Sequence, residues 1–77
     1  MISASFPDSS SIIAAGYEPN SSCLRIVFKD GSCYDFLNVP SYIFPSLTNA
    51  RSKGAFFNAS IRNVFPATRQ APLCVFK

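Results

Sequence analysis

The chain has 77 residues, of which 48% are hydrophobic and 14% are charged, and its formal net charge is +3. This length fits one small domain and leaves no room for a second. The chain has three cysteines, no histidine and no CxxC pair, so the composition points neither to a disulfide framework nor to a zinc site.

The distribution of charge and the first residues bear on partners and location. The seven Lys and Arg residues form no run, so the positive charge favours an anionic partner only weakly. The low charged fraction is typical of a chain whose apolar surface is partly covered by another chain. No stretch approaches the roughly 20 apolar residues of a membrane span, and the start lacks the features of a signal peptide. We therefore expect a cytoplasmic protein.

The first half of the chain predicts an arm followed by three strands. Residues 1–10 are rich in serine and contain a proline, which is typical of a flexible N-terminal arm. Residues 12–17 form the first predicted strand, and a group of turn formers follows it. Residues 23–29 alternate between large apolar side chains and others, as a half-buried strand does. Asp30-Gly31 then marks a hairpin that leads into a third strand over residues 32–37.

The register of this hairpin follows from the bulky side chains on its two strands. A two-residue turn would put the bulky face of one strand beside the small face of the next. One extra loop residue places Phe28 opposite Tyr34, and it also places Ile26 opposite Phe36. We therefore predict a type I turn with Gly31 left-handed in a bulge, because glycine has no Cβ to clash there.

The second half of the chain changes to a helical period. Residues 41–50 suit a short helix, with a first turn at 41–44 and the helix proper beginning near Pro45. Ser52 is placed to cap a second helix over about residues 53–63. The apolar stripe of this helix is predicted to pack on the sheet and consists of Phe57, Ile61, Val64 and Phe65.

These elements predict an α+β fold: an antiparallel three-stranded meander packed on two short helices. The predicted division is a flexible arm over residues 1–10, a domain over residues 11–66 and an apolar tail over residues 67–77. Within the tail, residues 73–76 are a candidate fourth strand.

Several segments of the chain resemble a known family in order and spacing. The chain reads GYEP at 16–19, LRIVFKDGSCYDF at 24–36, VP at 39–40 and NARSKGAFFNASIR at 49–62. Together they resemble the KTSC domain, which is named after the C-terminus of some lysyl-tRNA synthetases and also occurs as small bacterial and phage proteins. The resemblance spans about residues 9–65 and implies a binding module. The synthetase setting implies RNA as a ligand, and the phage setting implies interference with host defence, including its nucleotide immune signals.

The candidate ligand-binding residues lie along the second predicted helix: Ser52, Lys53, Gly54, Asn58 and Arg62. A capped helix start leaves backbone N–H groups free to meet an anion, and Lys53 adds positive charge. Asn58 and Arg62 are four residues apart, so they share one exposed face. Lys53 and Arg62 would lie about 14 Å apart along a helix, which suits two groups of a nucleotide or of a strand better than one phosphate.

A purely structural reading of these residues stays open. Ser52 would then only cap the helix, Gly54 would only allow close packing, and Arg62 would pair with Asp35 or with a C-terminal carbonyl. Tyr34 and Phe56 are the candidate side chains for stacking on a base, although aromatic residues of a small domain are more often part of the core.

Catalysis has little support in the sequence. No histidine is available as a base, no cysteine has an evident activating partner, and no glycine-rich phosphate loop occurs. We expect a non-enzymatic module without metal or cofactor that binds a phosphate-bearing ligand, either a nucleotide or RNA. The scattered cations weaken the case for long RNA more than the case for a nucleotide. The alternative is a protein-interaction or assembly module, in which residues 72–77 mediate self-association into a homo-oligomer.

Overall fold

The computed structural model describes residues 2–70. An antiparallel sheet of five strands, in the order β1-β2-β3-β4-β5, packs on two helices. In chain order the elements are β1 (Ile2–Ser5), β2 (Ile12–Glu18), β3 (Cys23–Phe28), β4 (Cys33–Phe36), α1 (Ile43–Asn49), α2 (Lys53–Ser60) and β5 (Ala67–Gln70). The α+β class with an antiparallel sheet and two helices is therefore confirmed, and the sheet is wider than predicted.

The core lies between the helices and one face of the sheet. Leu24 and Ile26 of β3 are fully buried, as is Leu47 of α1. Tyr17 of β2 stacks on Phe44 of α1 with ring centroids 6.3 Å apart. The Tyr17 hydroxyl donates a hydrogen bond of 2.6 Å to a backbone carbonyl before α1, so this aromatic side chain buries its ring without leaving its polar end unpaired.

The hairpin between β3 and β4 closes at Gly31, as predicted. Gly31 adopts a left-handed φ of 92°, and its N–H donates to the Phe28 carbonyl at 3.0 Å. The predicted register is wrong by two residues, because Ile26 lies opposite Tyr34 and Leu24 opposite Phe36. A shift of two residues keeps every side chain on its predicted face.

The cause of the register shift is the side chain of Asp30. Its Oδ1 accepts hydrogen bonds from the Ser32 backbone N–H at 2.9 Å and from the Ser32 hydroxyl at 2.6 Å. These bonds tie Ser32 to the turn, and the Phe28 N–H donates to the Ser32 carbonyl at 2.8 Å. The third loop residue is therefore Lys29 rather than Ser32.

The first ten residues differ from the predicted flexible arm. Residues 2–5 form strand β1, which pairs with β2 from Ile2 opposite Tyr17 to Ser5 opposite Ala14. Phe6, which follows β1, is only 8% exposed and belongs to the core. Strand pairing and the burial of this large side chain hold the segment on the sheet, and the serine-rich sequence around Phe6 indicated neither.

Both helices differ from their predicted limits. Helix α1 begins two residues before Pro45, which lies in its first turn, where the missing N–H of proline costs no helical hydrogen bond. The cap of α2 is confirmed, since the Ser52 hydroxyl accepts from the Ala55 N–H at 3.2 Å. Helix α2 ends at Ser60, and Asn63 beyond it takes a left-handed φ of 62°. The chain has therefore left the helix before the predicted end of the apolar stripe, and Val64 is exposed.

The segment after residue 66 joins the sheet earlier than predicted. Strand β5 pairs with β4, with Ala67 opposite Phe36 and Gln70 opposite Cys33. The predicted strand at residues 73–76, and with it the predicted role of residues 72–77 in self-association, lies outside the described residues. Between residues 2 and 70, no helix is long and apolar enough to cross a membrane.

Replacement of Gly31 tests the turn. A Cβ at this position would meet nothing within 4 Å, so any cost of Gly31→Ala comes from the backbone conformation alone. We expect the free energy of unfolding to fall by about 1–2 kcal/mol, as urea denaturation would measure. Gly31→Asn serves as the matched control and should cost less, because asparagine tolerates the left-handed region. Equal losses for both variants would contradict a purely conformational origin.

Candidate ligand-binding cleft

A cleft of about 510 Å³ lies between helix α2 and the sheet. Its walls come from α2 and the turn after it, from β3 and β4, and from the residues around the starts of β2 and β5. The volume falls within the range of about 300–1,000 Å³ that is usual for small-molecule sites. The cleft brings together four of the residues singled out in the sequence: Tyr34, Gly54, Asn58 and Arg62.

Four aromatic rings in mutual contact, which we call the aromatic floor, form one side of the cleft: Phe28, Tyr34, Phe36 and Phe57. Phe57 of α2 contacts Phe28 and Phe36 edge to face, with centroid distances of 5.2 and 5.5 Å. Tyr34 contacts Phe28 at 5.7 Å and Phe36 at 6.5 Å. Phe36 and Phe57 are buried, whereas Phe28 and Tyr34 are half-buried. The floor thus offers two partly open rings to the cleft.

Arg62 brings positive charge to the cleft. Of the described residues that line the cleft, it is the only charged one. Its Nη1 donates a hydrogen bond of 3.5 Å to Asn58 Oδ1, and both side chains are exposed. Within residues 2–70 its guanidinium has no other hydrogen bond and no ion pair. Most of its N–H donors are therefore available to an anion.

Ser52 and Lys53 lie beside a different depression, of about 310 Å³, between α2 and residues 6–10. Lys53 Nζ donates a hydrogen bond of 2.6 Å to the Ala50 carbonyl oxygen. It also lies 5.2 Å from the centroid of the Phe6 ring, at a distance typical of a cation–π contact. The Lys53 ammonium is thus engaged at the end of α1. The predicted group of anion-binding residues is divided between the two depressions.

Gly54 lines both depressions and marks the closest approach of α2 to the start of β2. A Cβ built on Gly54 would lie 2.6 Å from the Ser11 hydroxyl oxygen, which is closer than such atoms approach in proteins. The role of Gly54 as a residue that allows close packing is therefore visible in the structure.

The cleft also contains residues that the sequence reasoning did not assign to a site. Phe28, Asn63 and Phe65 line it, whereas the predicted stacking residue Phe56 does not and instead packs half-buried against the core. The alternation of β3 places Phe28 on the same face as Tyr34, which was a usable signal. Asn63 is one of the residue types that accept a left-handed backbone, which could have marked the turn after α2.

The other face of the sheet carries an ion pair between Arg25 and Asp35, which lie opposite each other on β3 and β4. Arg25 Nε and Nη2 donate hydrogen bonds of 2.6 and 2.9 Å to the two carboxylate oxygens. The hydrogen bond with Asp35 raises the pKa of Arg25. Asp35 is thus held by Arg25, and the predicted alternative in which Arg62 pairs with Asp35 does not occur.

Reactive groups are scarce in the described part of the chain. Cys23 is a free cysteine at the start of β3, and burial, followed by the charge of Asp35, raises the pKa of its thiol. A raised pKa reduces the thiolate fraction, so Cys23 is not activated as a nucleophile. Residues 2–70 contain no group of three or more Cys, Asp or Glu side chains placed to hold a metal ion.

Fold and cleft together define a small α+β domain with an aromatic ligand-sized cleft. The family model of the KTSC domain matches residues 8–65, and the chain belongs to this family. A crystal structure of a KTSC domain protein from Yersinia pestis superposes with a TM-score of 0.83 at 31% identity, over 88% of this chain and 94% of that one.

Relatives occur in two contexts. A protein of Tsukamurella paurometabola is 38% identical over 60 residues, which cover 78% of this chain and 90% of that protein. A lysine–tRNA ligase of a Nostoc species is 39% identical over 59 residues, which cover 77% of this chain but 10% of the ligase. The chain therefore corresponds to nearly the whole of one relative and to a small part of the other.

The contact between Gly54 and Ser11 can be tested with a double-mutant cycle. In a Ser11→Ala background the obstructing oxygen is absent, so Gly54→Ala should stabilise helix α2 by about 0.5–1 kcal/mol. In the wild-type background the Ser11 hydroxyl must turn away from the new Cβ, and we expect the gain to be smaller. Thermal and urea unfolding of the four proteins would measure the coupling. Additive effects would contradict the close approach.

Proposed function

We propose that this protein is a non-enzymatic binding module whose cleft takes a phosphate-bearing ligand, either a nucleotide or part of an RNA strand. The observation that carries the proposal is the pairing of the aromatic floor with Arg62 in one cleft. An aromatic surface and a nearby cation are the two features that a nucleotide needs, because it carries a flat base and an anionic phosphate.

The partly open rings of the aromatic floor support base binding. Phe28 and Tyr34 are half-buried and contact each other edge to face; Phe28 also contacts the buried Phe57 edge to face, and Tyr34 contacts the buried Phe36 at a tilt. Stacking of a base on an aromatic side chain contributes about 1–3 kcal/mol and tolerates any base. Rings that are already held by their neighbours lose little conformational entropy when a base binds.

The chemistry of Arg62 supports phosphate binding. Guanidinium groups bind phosphate through two parallel N–H groups, and such charge-assisted bonds are stronger than neutral ones. The side chain is exposed at the cleft and hydrogen-bonded only to Asn58 within the described residues. It can therefore bind an anion without the loss of an existing ion pair.

The relatives lend this proposal further support. One of them is named as a lysine–tRNA ligase, an enzyme that acts on an RNA, and a domain shared with such an enzyme fits an RNA or nucleotide ligand. The same relation favours a cytoplasmic location. A nucleotide immune signal is a further ligand of the proposed chemical class.

A second candidate function, protein interaction, is favoured by exposed apolar side chains. Ile2, Tyr42 and Val64 are each more than half exposed, and β1 leaves one edge of the sheet unpaired within the described chain. A strand from a second copy of the chain could add to such an edge. Sedimentation equilibrium separates the two candidates, since concentration-dependent association without nucleotide binding would favour the interaction module.

Arg62→Ala tests the proposed function directly. We expect it to weaken nucleotide or RNA binding by about 1–3 kcal/mol, the usual contribution of a charge-assisted hydrogen bond, with little change in melting temperature because the side chain is exposed. Arg51→Ala is the matched control, because it removes the same charge from an exposed residue outside the cleft. Isothermal titration calorimetry measures both. Equal losses in the two variants would show that only general charge attraction is at work.

The absence of catalysis is a separate expectation. Incubation of the protein with nucleotides, RNA and phosphoesters should leave them chemically intact, as chromatography of the mixtures would show. Turnover that survives repurification and disappears with a single substitution in the cleft would contradict a pure binding role.

A further inference from the structure

We propose that the cleft recognises one nucleotide unit through one phosphate group, either as a free nucleoside monophosphate or as one phosphodiester of a single strand. The inference rests on the proposed function and narrows it to a ligand class. It follows from the charges at the cleft, from the hydrogen bond between Arg62 and Asn58, and from the shape of the aromatic floor.

The charges around the cleft match a single phosphate. Arg62 is the only charged residue among the described residues that line it. Two other cations lie outside the cleft and are already engaged: Lys53 binds the Ala50 carbonyl, and Arg25 pairs with Asp35 on the opposite face of the sheet. Among the described residues that line the cleft, a diphosphate or triphosphate would therefore find no second cation for its further anionic groups, and those groups should add little affinity.

Asn58 lies next to the Arg62 guanidinium and favours one orientation of it through a long hydrogen bond of 3.5 Å. Asn58 Oδ1 accepts from Nη1 of Arg62, which leaves the edge formed by Nε and Nη2 to another partner. The two parallel N–H groups of that edge match two oxygens of one phosphate. Asn58 is thus a positioning residue, and its own amide N–H groups remain available as donors because its oxygen faces Arg62.

The aromatic floor accommodates one base beside that phosphate. Its partly open rings, Phe28 and Tyr34, contact each other edge to face, with an interplanar angle of 79°. Two rings at nearly a right angle cannot both stack on parallel bases, so the floor suits one base rather than a stack of several. A cleft of about 510 Å³ likewise holds one molecule of drug-like size.

Calorimetric titration with a graded series of ligands tests the inference. The four ribonucleoside 5′-monophosphates are compared first, and the strongest binder is then compared with its nucleoside, its diphosphate, its triphosphate and its six-nucleotide single strand, all at one ionic strength. The first phosphate should raise the affinity about tenfold or more, as one charge-assisted contact does. The second and third phosphates should change the affinity less than about threefold, because the described residues of the cleft offer them no second cation.

Variants of the cleft provide the control. Arg62→Ala should reduce the affinity for the monophosphate to that for the nucleoside and leave the nucleoside unaffected. Asn58→Asp has the same shape but places a carboxylate beside the guanidinium, so it should remove the phosphate contribution with the arginine still present. Asn58→Asp also keeps the test valid if Arg62→Ala fails to fold. Arg51→Ala should behave as wild type with every ligand.

The outcomes separate the inference from the proposed function. The inference and the proposed function are both supported if the monophosphate or the single strand binds, if this binding depends on Arg62, and if further phosphates change the affinity little. The stronger of these two ligands then shows whether the cleft takes a free nucleotide or a nucleotide within a strand. An affinity that rises about tenfold with each added phosphate overturns the single-phosphate inference while the proposed function stands. If neither nucleotides nor the single strand bind, the proposed function itself is overturned.

Discussion

The edge-to-face contacts of Phe57 with Phe28 and Phe36 join helix α2 to the sheet, and the rest of the structure depends on them. Burial of one such ring contributes about 1.5–3 kcal/mol, and each aromatic pair adds about 0.5–1.5 kcal/mol. In a domain of this size these contributions are a large part of the net stability. The same rings form one side of the cleft, so these side chains belong both to the core and to the candidate site. Removal of a floor ring would lower stability and binding together, which is why the exposed Arg62 is the better probe of function.

The features that could be predicted from the sequence are those with a local cause. Alternation in β3, the left-handed Gly31 and the Ser52 cap each depend on neighbouring residues, and all three occur as expected. The pairing of strands and the docking of segments on the sheet depend on contacts between residues that are distant in sequence, or on side chains that bind the turn residues. The Asp30–Ser32 hydrogen bonds set a register two residues from the predicted one, and the burial of Phe6 turned a predicted arm into a strand.

The candidate site was predictable in part for the same reason. Asn58 and Arg62 were grouped by their spacing of four residues and Gly54 by its place at the capped helix start, and all three line the cleft. Lys53 was grouped with them because of its charge, but its ammonium binds the carbonyl of Ala50 at the end of the preceding helix. The aromatic floor needed the strand register before Phe28 could be placed against Phe57. The formal net charge of +3 likewise does not show how much positive charge the cleft carries. One of the cations, Arg25, is paired with Asp35 on the opposite face of the sheet.

The positions of β1 and β5 bear on how this domain combines with others. They form the two opposite edges of the sheet, so the first and last described residues belong to different edge strands. Most of the residues that line the cleft come from α2, the turn after it and the β3–β4 hairpin, and none of the described ones belongs to β1. Polypeptide attached before β1 would therefore leave the lining of the cleft in place. A domain with this arrangement can be appended to a larger enzyme or exist alone without redesign of its cleft. The relatives show both situations, with 10% of a ligase and 90% of a small protein matched by the same fold.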